Sequence, residues 1–298
     1  MNSSAFFPVS KTFNALSGDV QWLSQLMQGE GYGRIHSVFE RVVNLEQEGA
    51  LFTLAGRSCD NAPNTLIVDI LSFDSTYFHQ GDRWQALRGE GLHFASGAII
   101  SLHSAQGWQA CLPRYYDVPA ENISLLAQAV QHHWHSEKPA LHAPGYEKIV
   151  RETLKNRTDA LMAACFEKDS AAVIELATHI IGLGPGLTPA GDDFLLGLFT
   201  VINLEGSPCG YLKAVVKIIT ARARAQTNLI SFTALQQVSK GRVRAVISEL
   251  LLDAMQSAPQ RLEKSIDKVL SIGSSSGADI LSGILAGLKL CKAVLAYR

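Results

Sequence analysis

A change of sequence pattern near residues 115–120 constrains the fold more than any other feature of the chain. Before it, short apolar runs alternate with Gly, Asn, Asp and Pro, which is typical of a compact antiparallel sheet or barrel. After it, apolar residues recur at helical spacing over helix-length segments. The chain has 298 residues, enough for two domains. We therefore predict an α+β protein with a β-rich domain over residues 1–118 and an all-α domain over residues 119–298.

The same patterns place the individual elements. Residues 13–28 have a mixed pattern that could end in a short helix. Strands are predicted at Arg34–Leu45, Leu51–Ala55, Thr65–Leu71, Trp84–Leu87, Leu92–Phe94, Ala98–Leu102 and Trp108–Leu112. Helices are predicted at Glu121–His135, Tyr146–Phe166, Ser170–Ile181, Phe194–Leu204, Tyr211–Ala225, Ser231–Val238, Val243–Met255, Pro259–Leu270 and Asp279–Ala296.

Composition excludes two classes of protein. Hydrophobic residues make up 47% of the chain and charged residues 18%, which excludes an intrinsically disordered protein and predicts a sizeable core. The formal net charge is −1. The chain therefore lacks the overall basic field that attracts nucleic acid.

The cysteines and the apolar stretches predict a cytoplasmic protein without membrane contact. The five cysteines are scattered and form no CxxC pair, which favours a reducing compartment over a zinc ribbon or a thioredoxin-type site. The N-terminal segment lacks the apolar core of a signal peptide. The most apolar long stretch, Gly277–Tyr297, carries Asp279, Lys289 and Lys292, so it predicts a buried helix rather than a membrane span.

The most unusual segment is the loop Gly182–Asp193, with the sequence GLGPGLTPAGDD, which leads into an apolar helical run. Its glycines, including Gly184 and Gly186, leave backbone N–H groups unobstructed by side chains. Thr188 suits a helix cap, and the proline after it suits a first helical position. Because free N–H groups and the positive end of a helix dipole coincide there, the loop predicts an anion-binding site.

A short internal repeat links this loop to the C-terminal helix. The segments Gly191–Leu198 and Gly277–Ile284 share the pattern G-x-D-[FI]-L-x-G-[LI]. The second copy follows a small-residue loop with three serines, Ser274, Ser275 and Ser276. We predict that the two helices pack side by side at their glycines and bring both N-termini to one pocket. Backbone and hydroxyl donors there, those of Gly191 included, would bind a phosphate or a carboxylate.

Three aspartates lie at the same helix starts. Asp192 and Asp193 would repel an anion unless they orient a substrate amide, face a cation, or hold a metal such as Mg²⁺ beside a phosphate. No cofactor is certain from the sequence, and Mg²⁺ is the candidate. The alternative is structural: Asp193 and Asp279 favour helix N-termini, and the glycines serve only close packing.

Weaker candidates for substrate binding lie elsewhere. Arg222, Arg224 and Thr227 lie near the end of one predicted helix and are anion ligands if the helices fold back toward the glycine loop. Each is otherwise part of a solvated face. Three polar residues of the β-rich domain are candidates for lining an interdomain cleft: His36, Arg57 and Asn64.

Two further patterns indicate chemistry that their context does not favour. Residues 273–277 satisfy G-x-S-x-G, but a nucleophile elbow needs a strand before Ser275, and helices are predicted there. The HHWH run places His132, His133 and His135 on a predicted helix. No third zinc ligand is evident beside His132 and His135, so an exposed helix end is favoured over a metal site.

At Gly182–Asp193 the sequence resembles a bacterial family whose hallmark is a GxGPGLTPxGDD loop. The family includes the AllH-type subunit of oxamate carbamoyltransferase. The segments GRIHSVFERVVNL, TNLIS and SSGADILSGILAGL also resemble the family, so the resemblance extends over most of the chain. Asn228 in TNLIS departs from the small hydroxyl residue expected at that position.

The resemblance implies a subunit of a carbamoyltransferase that works together with other subunits. No nucleic-acid partner is expected. Carbamoyl phosphate and oxamate would interconvert with oxalurate and phosphate in allantoin degradation. Within that reaction we predict Asp192 and Asp193 as the catalytic residues, which would orient a substrate amide or a metal. Motifs of aspartate-type carbamoyltransferases are not visible, so the active site would be unrelated to theirs. Two alternatives stay open: a non-catalytic anion-binding or scaffold subunit, and a metal-dependent hydrolase using Asp192, Asp193 and Asp279.

Overall fold

The computed structural model describes residues 11–73, 75–136, 146–256 and 258–297. The chain forms two compact units, Met1–Ala110 and Cys111–Arg298. The described strands lie in the first unit, and every described α-helix except one lies in the second, which confirms the α+β class. Residues 1–10, on which the prediction about a signal peptide rests, lie outside the described residues. All five cysteines are free thiols.

The described part of the N-terminal unit is a nine-stranded sheet with one helix. Its elements are β1 (Lys11–Asp19), α1 (Val20–Met27), β2 (Tyr32–Val38), β3 (Val42–Gln47), β4 (Ala50–Gly56), β5 (Thr65–Val68), β6 (Arg83–Leu87), β7 (Gly91–Phe94), β8 (Ala98–Ser101) and β9 (Gln106–Trp108). The strand order is β5-β4-β3-β2-β6-β7-β8-β1-β9, and β5 also pairs with β1. The sheet therefore closes into a barrel of eight strands, with β9 added beside β1.

Strand β1 closes the barrel, and the sequence pattern does not predict it. It runs parallel to β8 at its start and antiparallel to β5 further on. Its buried residues are Ala15, Gly18 and Asp19, whereas Leu16 is exposed. Small and polar residues thus take the inward positions, so no alternating apolar signal marks the strand. The short helix expected at the end of residues 13–28 is confirmed as α1.

One predicted strand of the barrel is two strands in the structure. The run Arg34–Leu45 contains a turn, because Phe39 N–H donates to Val42 O and joins β2 to β3 as a hairpin. The turn lacks the Asn-Gly or Asp-Gly signal that marks two-residue hairpins in a sequence. The barrel core includes Trp22 of α1, whose ring stacks on Phe52 at 4.9 Å between ring centroids.

The described part of the C-terminal unit is helical. Its helices are α2 (Ala120–Ser136), α3 (Tyr146–Glu167), α4 (Ser170–Thr178), α5 (Ala190–Asn203), α6 (Lys213–Ala223), α7 (Leu229–Ser239), α8 (Ala245–Ala254), α9 (Pro259–Leu270) and α10 (Ser276–Ala296), with a 3₁₀ turn at Gly210–Leu212. Each predicted helix is present. No helix in the described ranges is long and apolar enough to cross a membrane.

Helices α5 and α10 form the centre of this unit. In α5 the residues from Gly191 to Leu195 and from Gly197 to Ile202 are all buried. Both helices begin earlier than predicted, at Ala190 rather than Phe194 and at Ser276 rather than Asp279. The first turn of α5 therefore contains Asp192 and Asp193, which the apolar periodicity left outside the predicted helix, and Asp279 lies in the first turn of α10 instead of starting that helix.

Candidate functional site at two helix N-termini

Glycines let α5 and α10 cross in direct backbone contact. A Cβ atom at Gly197 would overlap Ile280 O, and one at Gly283 would overlap Phe194 O. Further along, a Cβ atom at Gly287 would lie 2.8 Å from Val201 Cβ. Positions in the two helices advance together, so the helices run in the same direction. The predicted side-by-side packing of the two G-x-D-[FI]-L-x-G-[LI] segments is confirmed.

The two N-termini meet at their hydroxyl side chains. Thr188 Oγ1 lies 2.7 Å from Ser276 Oγ, which joins the glycine loop to the serine loop before α10. The prediction that Thr188 caps α5 is wrong. Pro189 occupies the N-cap position, and no side chain caps the helix. The threonine hydroxyl forms a hydrogen bond that links the starts of the two helices, and it does not cap either helix.

The glycine loop adopts a conformation that favours glycine at three positions. Gly182, Gly184 and Gly186 have φ of 73°, 118° and 96°. A Cβ atom at Gly184 would lie 2.9 Å from Ala190 N, whereas one at Gly186 would meet nothing within 4 Å. Among the described residues, no hydrogen bond is made by the N–H groups of Gly184, Gly186 and Thr188. These donors are available at the positive end of α5.

Gly191 serves the packing of the loop. Its N–H donates to Leu183 O at 2.9 Å, and a Cβ atom there would overlap Ile180 O. Close approach of the helix start to the preceding chain therefore accounts for this glycine. Its N–H is occupied, unlike those of Gly184 and Gly186.

Asp192 uses both carboxylate oxygens to hold the loop in place. Gly182 N–H donates to Asp192 Oδ1 at 2.8 Å, and the Thr227 hydroxyl donates to Oδ2. Burial raises the pKa of Asp192, while the Thr227 hydroxyl, the Gly182 N–H and the Ser231 hydroxyl lower it. The carboxylate thereby ties the loop to the segment between α6 and α7.

Asp193 is buried but keeps one oxygen without a partner. Its exposed fraction is 5%, and Oδ2 makes no hydrogen bond with the described residues. Burial raises the pKa of Asp193 to about 7; the Ser276 and Thr188 hydroxyls oppose the rise, and the charge of Asp192 adds to it. A carboxyl group with this pKa exchanges its proton near neutral pH.

The C-terminal loop contributes small polar groups and a third buried aspartate. Asp279 lies in the first turn of α10 and is 2% exposed. Ser274 is exposed, and Ser275 is the N-cap residue of α10 without a side-chain cap bond. The helix α9 precedes this loop, so the strand that a nucleophile elbow requires is not there.

The predicted arginines point to other partners, whereas Thr227 and Asn228 join the site. Arg222 Nη1 lies 3.5 Å from Thr178 Oγ1, and the Arg224 guanidinium lies over the Phe232 ring. Asn228 Nδ2 donates to Leu187 O in the glycine loop at 2.8 Å. Its Oδ1 caps α7 by accepting the N–H groups of the second and third helical residues. The sequence signal for this residue is an asparagine before a helix, which favours an N-cap.

The Thr227→Val variant tests whether Asp192 fastens the loop. We expect the helical unit to lose about 1 to 3 kcal/mol of stability, because a buried carboxylate oxygen loses its hydroxyl donor. Urea unfolding measures the change. Thr233→Val is the matched control, since the Thr233 hydroxyl bonds only within α7, to Leu229 O. Equal losses in the two variants would contradict the fastening role.

The three candidates of the N-terminal unit are each engaged separately. His36 Nδ1 lies 3.1 Å from Ser37 Oγ, and Arg57 Nη1 pairs with Asp69 Oδ1 at 3.1 Å. Asn64 has a φ of 55°, and its N–H donates to the buried Asp19 carboxylate at 2.6 Å. The three side chains form no common cluster within this unit.

The metal candidates do not assemble into a site. Within the described ranges, no group of three or more His, Cys, Asp or Glu side chains is placed to hold a metal ion. Asp192 already spends both oxygens on protein donors. His132 and His133 line a surface cavity of about 460 Å³ between α2 and α9, and the side chain of His135 lies outside the described residues.

Comparisons with known proteins agree with the division into two units. Residues 14–107 match the model of the AllH family N-terminal domain. Residues 180–288 match the model described as oxamate carbamoyltransferase subunit AllH, and this span includes the glycine loop, α5 and most of α10. No solved structure matches the chain. The two models together span about two thirds of the chain, and the chain therefore belongs to the AllH family of oxamate carbamoyltransferase subunits.

Proposed function

We propose that this chain supplies a substrate site of an oxamate-type carbamoyltransferase and works with other subunits of that enzyme. The reaction interconverts carbamoyl phosphate and oxamate with oxalurate and phosphate during allantoin degradation. The family membership supports the reaction class. The geometry at the starts of α5 and α10 supports the location of the site.

One observation carries the proposal: hydrogen-bond donors and a buried acceptor lie side by side. The unbonded N–H groups of the glycine loop lie at the start of α5, and the serine loop lies beside it at the start of α10. Asp193 Oδ2, buried in the same helix turn, has no hydrogen-bond donor within the part of the chain that the structure describes. Both substrates combine an anionic group with an N–H donor, so each is complementary to such a site.

The site suits catalysis by positioning and electrostatics. The N–H groups at two helix starts bind the phosphate or the carboxylate, and they stabilise negative charge that develops on the leaving phosphate. Holding carbamoyl phosphate and oxamate together removes much of the entropic barrier to their reaction. A covalent nucleophile is not required for this transfer.

A thermal-shift screen of the purified chain tests the location of the site. Carbamoyl phosphate, phosphate, oxamate and oxalurate are tested one at a time. A ligand at about 100 times its Kd stabilises the folded chain by roughly 2.7 kcal/mol, which raises the melting temperature by several degrees. We expect a shift with carbamoyl phosphate or oxamate, and its loss in Gly186→Val.

The control for this variant is Gly81→Val in the N-terminal unit. Gly81 has a φ of 89°, close to the 96° of Gly186, and a Cβ atom at either residue meets nothing within 4 Å. Both variants therefore strain the backbone equally, but only Gly186 lies in the glycine loop. A shift that persists in Gly186→Val would place the ligand elsewhere. No shift with any ligand would favour a scaffold subunit.

A further inference from the structure

We infer that the two adjacent aspartates have different roles: Asp193 exchanges the proton of the substrate's amide nitrogen, and Asp192 is a positioning residue. The inference rests on the proposed carbamoyl transfer and assigns its proton step to one atom, Asp193 Oδ2. The two neighbouring aspartates are thereby assigned different roles because their hydrogen bonds differ.

The hydrogen bonds of Asp192 leave no oxygen for a substrate. Gly182 N–H occupies Oδ1, and the Thr227 hydroxyl occupies Oδ2. Both partners belong to the chain that surrounds the site, at the start of the glycine loop and before α7. Removing the carboxylate would therefore displace the loop and not the reacting atoms directly.

Asp193 has the opposite arrangement, because Oδ2 is buried and no described residue donates a hydrogen bond to it. Leaving a buried polar atom unpaired costs about 1 to 3 kcal/mol, so a ligand that brings a donor to it gains that energy. A carboxylate offers no donor, and the negative charge of a phosphate would be repelled by the ionised carboxylate of Asp193. The N–H end of the substrate therefore faces Asp193, and its anionic end faces the N–H groups of the loop.

The groups around Asp193 are either acidic or uncharged hydroxyls. Its own helix contributes Asp192, and the first turn of α10 contributes Asp279 together with the Ser276 hydroxyl. The glycine loop contributes the Thr188 hydroxyl, which lies against Ser276. The Arg222 and Arg224 side chains of the neighbouring segment are exposed and bonded elsewhere. Among the described residues, Asp193 therefore has no cationic partner to hold it ionised, and burial raises its pKa to about 7.

The proton step balances without a further reactant. The oxamate amide nitrogen forms a bond to the carbamoyl carbon as the bond between that carbon and the phosphate oxygen breaks. The nitrogen gives one proton to Asp193 Oδ2. Asp193 then passes this proton to the departing phosphate and is ionised again. In the reverse direction, protonated Asp193 returns it to the nitrogen while phosphate attacks the ureido carbonyl.

The experiment compares Asp193→Asn with Asp192→Asn in the enzyme reconstituted with its partner subunits. General acid–base groups contribute about 10²- to 10⁴-fold to rate. We expect Asp193→Asn to lower kcat by at least about 100-fold, to leave the KM for carbamoyl phosphate within a few fold, and to abolish the pH dependence of kcat near pH 7. Asp192→Asn should raise KM more than it lowers kcat and should keep that pH dependence.

Two results would overturn the inference. One is a kcat of Asp193→Asn close to that of the wild type, and the other is an unchanged pH dependence in that variant. The Asn side chain has the size of Asp, and a melting curve checks that the variant folds. Failure of the proposed function itself is distinct, because the wild-type complex would then turn over neither oxamate nor oxalurate. Carboxyl titration of Asp193 by NMR, with and without oxamate, then tests the proton role, and an unperturbed titration would refute it.

Discussion

Replacing Gly283 with alanine is expected to destabilise the helical unit by about 3 kcal/mol or more. The new Cβ atom would overlap Phe194 O, which belongs to the backbone of α5 and has no other rotamer to adopt. The two helices must therefore move apart, and the contact between them is the centre of the unit. Alanine is intrinsically better than glycine inside a helix by up to about 1 kcal/mol, so any net loss reports the steric overlap.

Urea unfolding of the variant measures this loss, with Gly210→Ala as the control. Gly210 begins the 3₁₀ turn, and a Cβ atom there would lie 3.8 Å from the flexible end of Lys213. That variant should stay within about 0.5 kcal/mol of the wild type. If Gly283→Ala is as stable as Gly210→Ala, the close crossing of α5 and α10 is wrong.

The second large effect is a pH-dependent stabilisation by Asp193→Asn. The folded protein holds the Asp193 proton up to a pKa of about 7, whereas an ordinary Asp has 3.8. Below about pH 4 both states are protonated and the group costs nothing. As the pH rises to about 7 the unfolded chain ionises freely, so the free energy of unfolding falls through this window. Above it, the loss is complete and amounts to as much as about 4 kcal/mol.

Asparagine stays neutral and avoids this loss. Asp193→Asn should therefore match the wild type near pH 4 and melt on the order of 10 °C higher at pH 8. Melting curves at a series of pH values measure the difference. Asp159→Asn on α3 is the control, because that side chain is exposed and pairs only with Lys155 in its own helix. A parallel pH profile of the Asp193→Asn and wild-type proteins would contradict the buried, raised-pKa state of Asp193.

Together, the two expected results for Asp193 mean that the ionised carboxylate lowers the stability of the protein and raises its activity. The neutral variant is expected to be more stable and less active. A buried group with a shifted pKa that lowers stability is typical of groups whose charge is used in a reaction. A purely structural aspartate would show the reverse, with stability lost and the pH dependence of activity unchanged.

The fold class, the helices and the position of the glycine loop could all be predicted from the sequence. Apolar spacing predicts helices because one buried stripe recurs every three to four residues, and α9 was predicted from Pro259 to Leu270, where the structure has it. The repeated G-x-D-[FI]-L-x-G-[LI] pattern likewise indicates the crossing of α5 and α10, since glycines at matching positions permit backbone contact. These features depend on local pattern alone.

The contacts between polar residues could not be predicted from the sequence, because they depend on how the chain packs in three dimensions. Strand β1 could not be predicted from apolar periodicity, because backbone pairing with the neighbouring strands β5 and β8, and not its own side-chain pattern, holds it in the barrel. Asp192 and Asp193 are adjacent and identical in sequence, but residues far along the chain give them different environments. The Thr227 hydroxyl donates a hydrogen bond to Asp192, whereas Asp193 Oδ2 is buried with no donor among the described residues. Burial and hydrogen-bond partners are set by long-range packing, and a pattern in the sequence does not contain them.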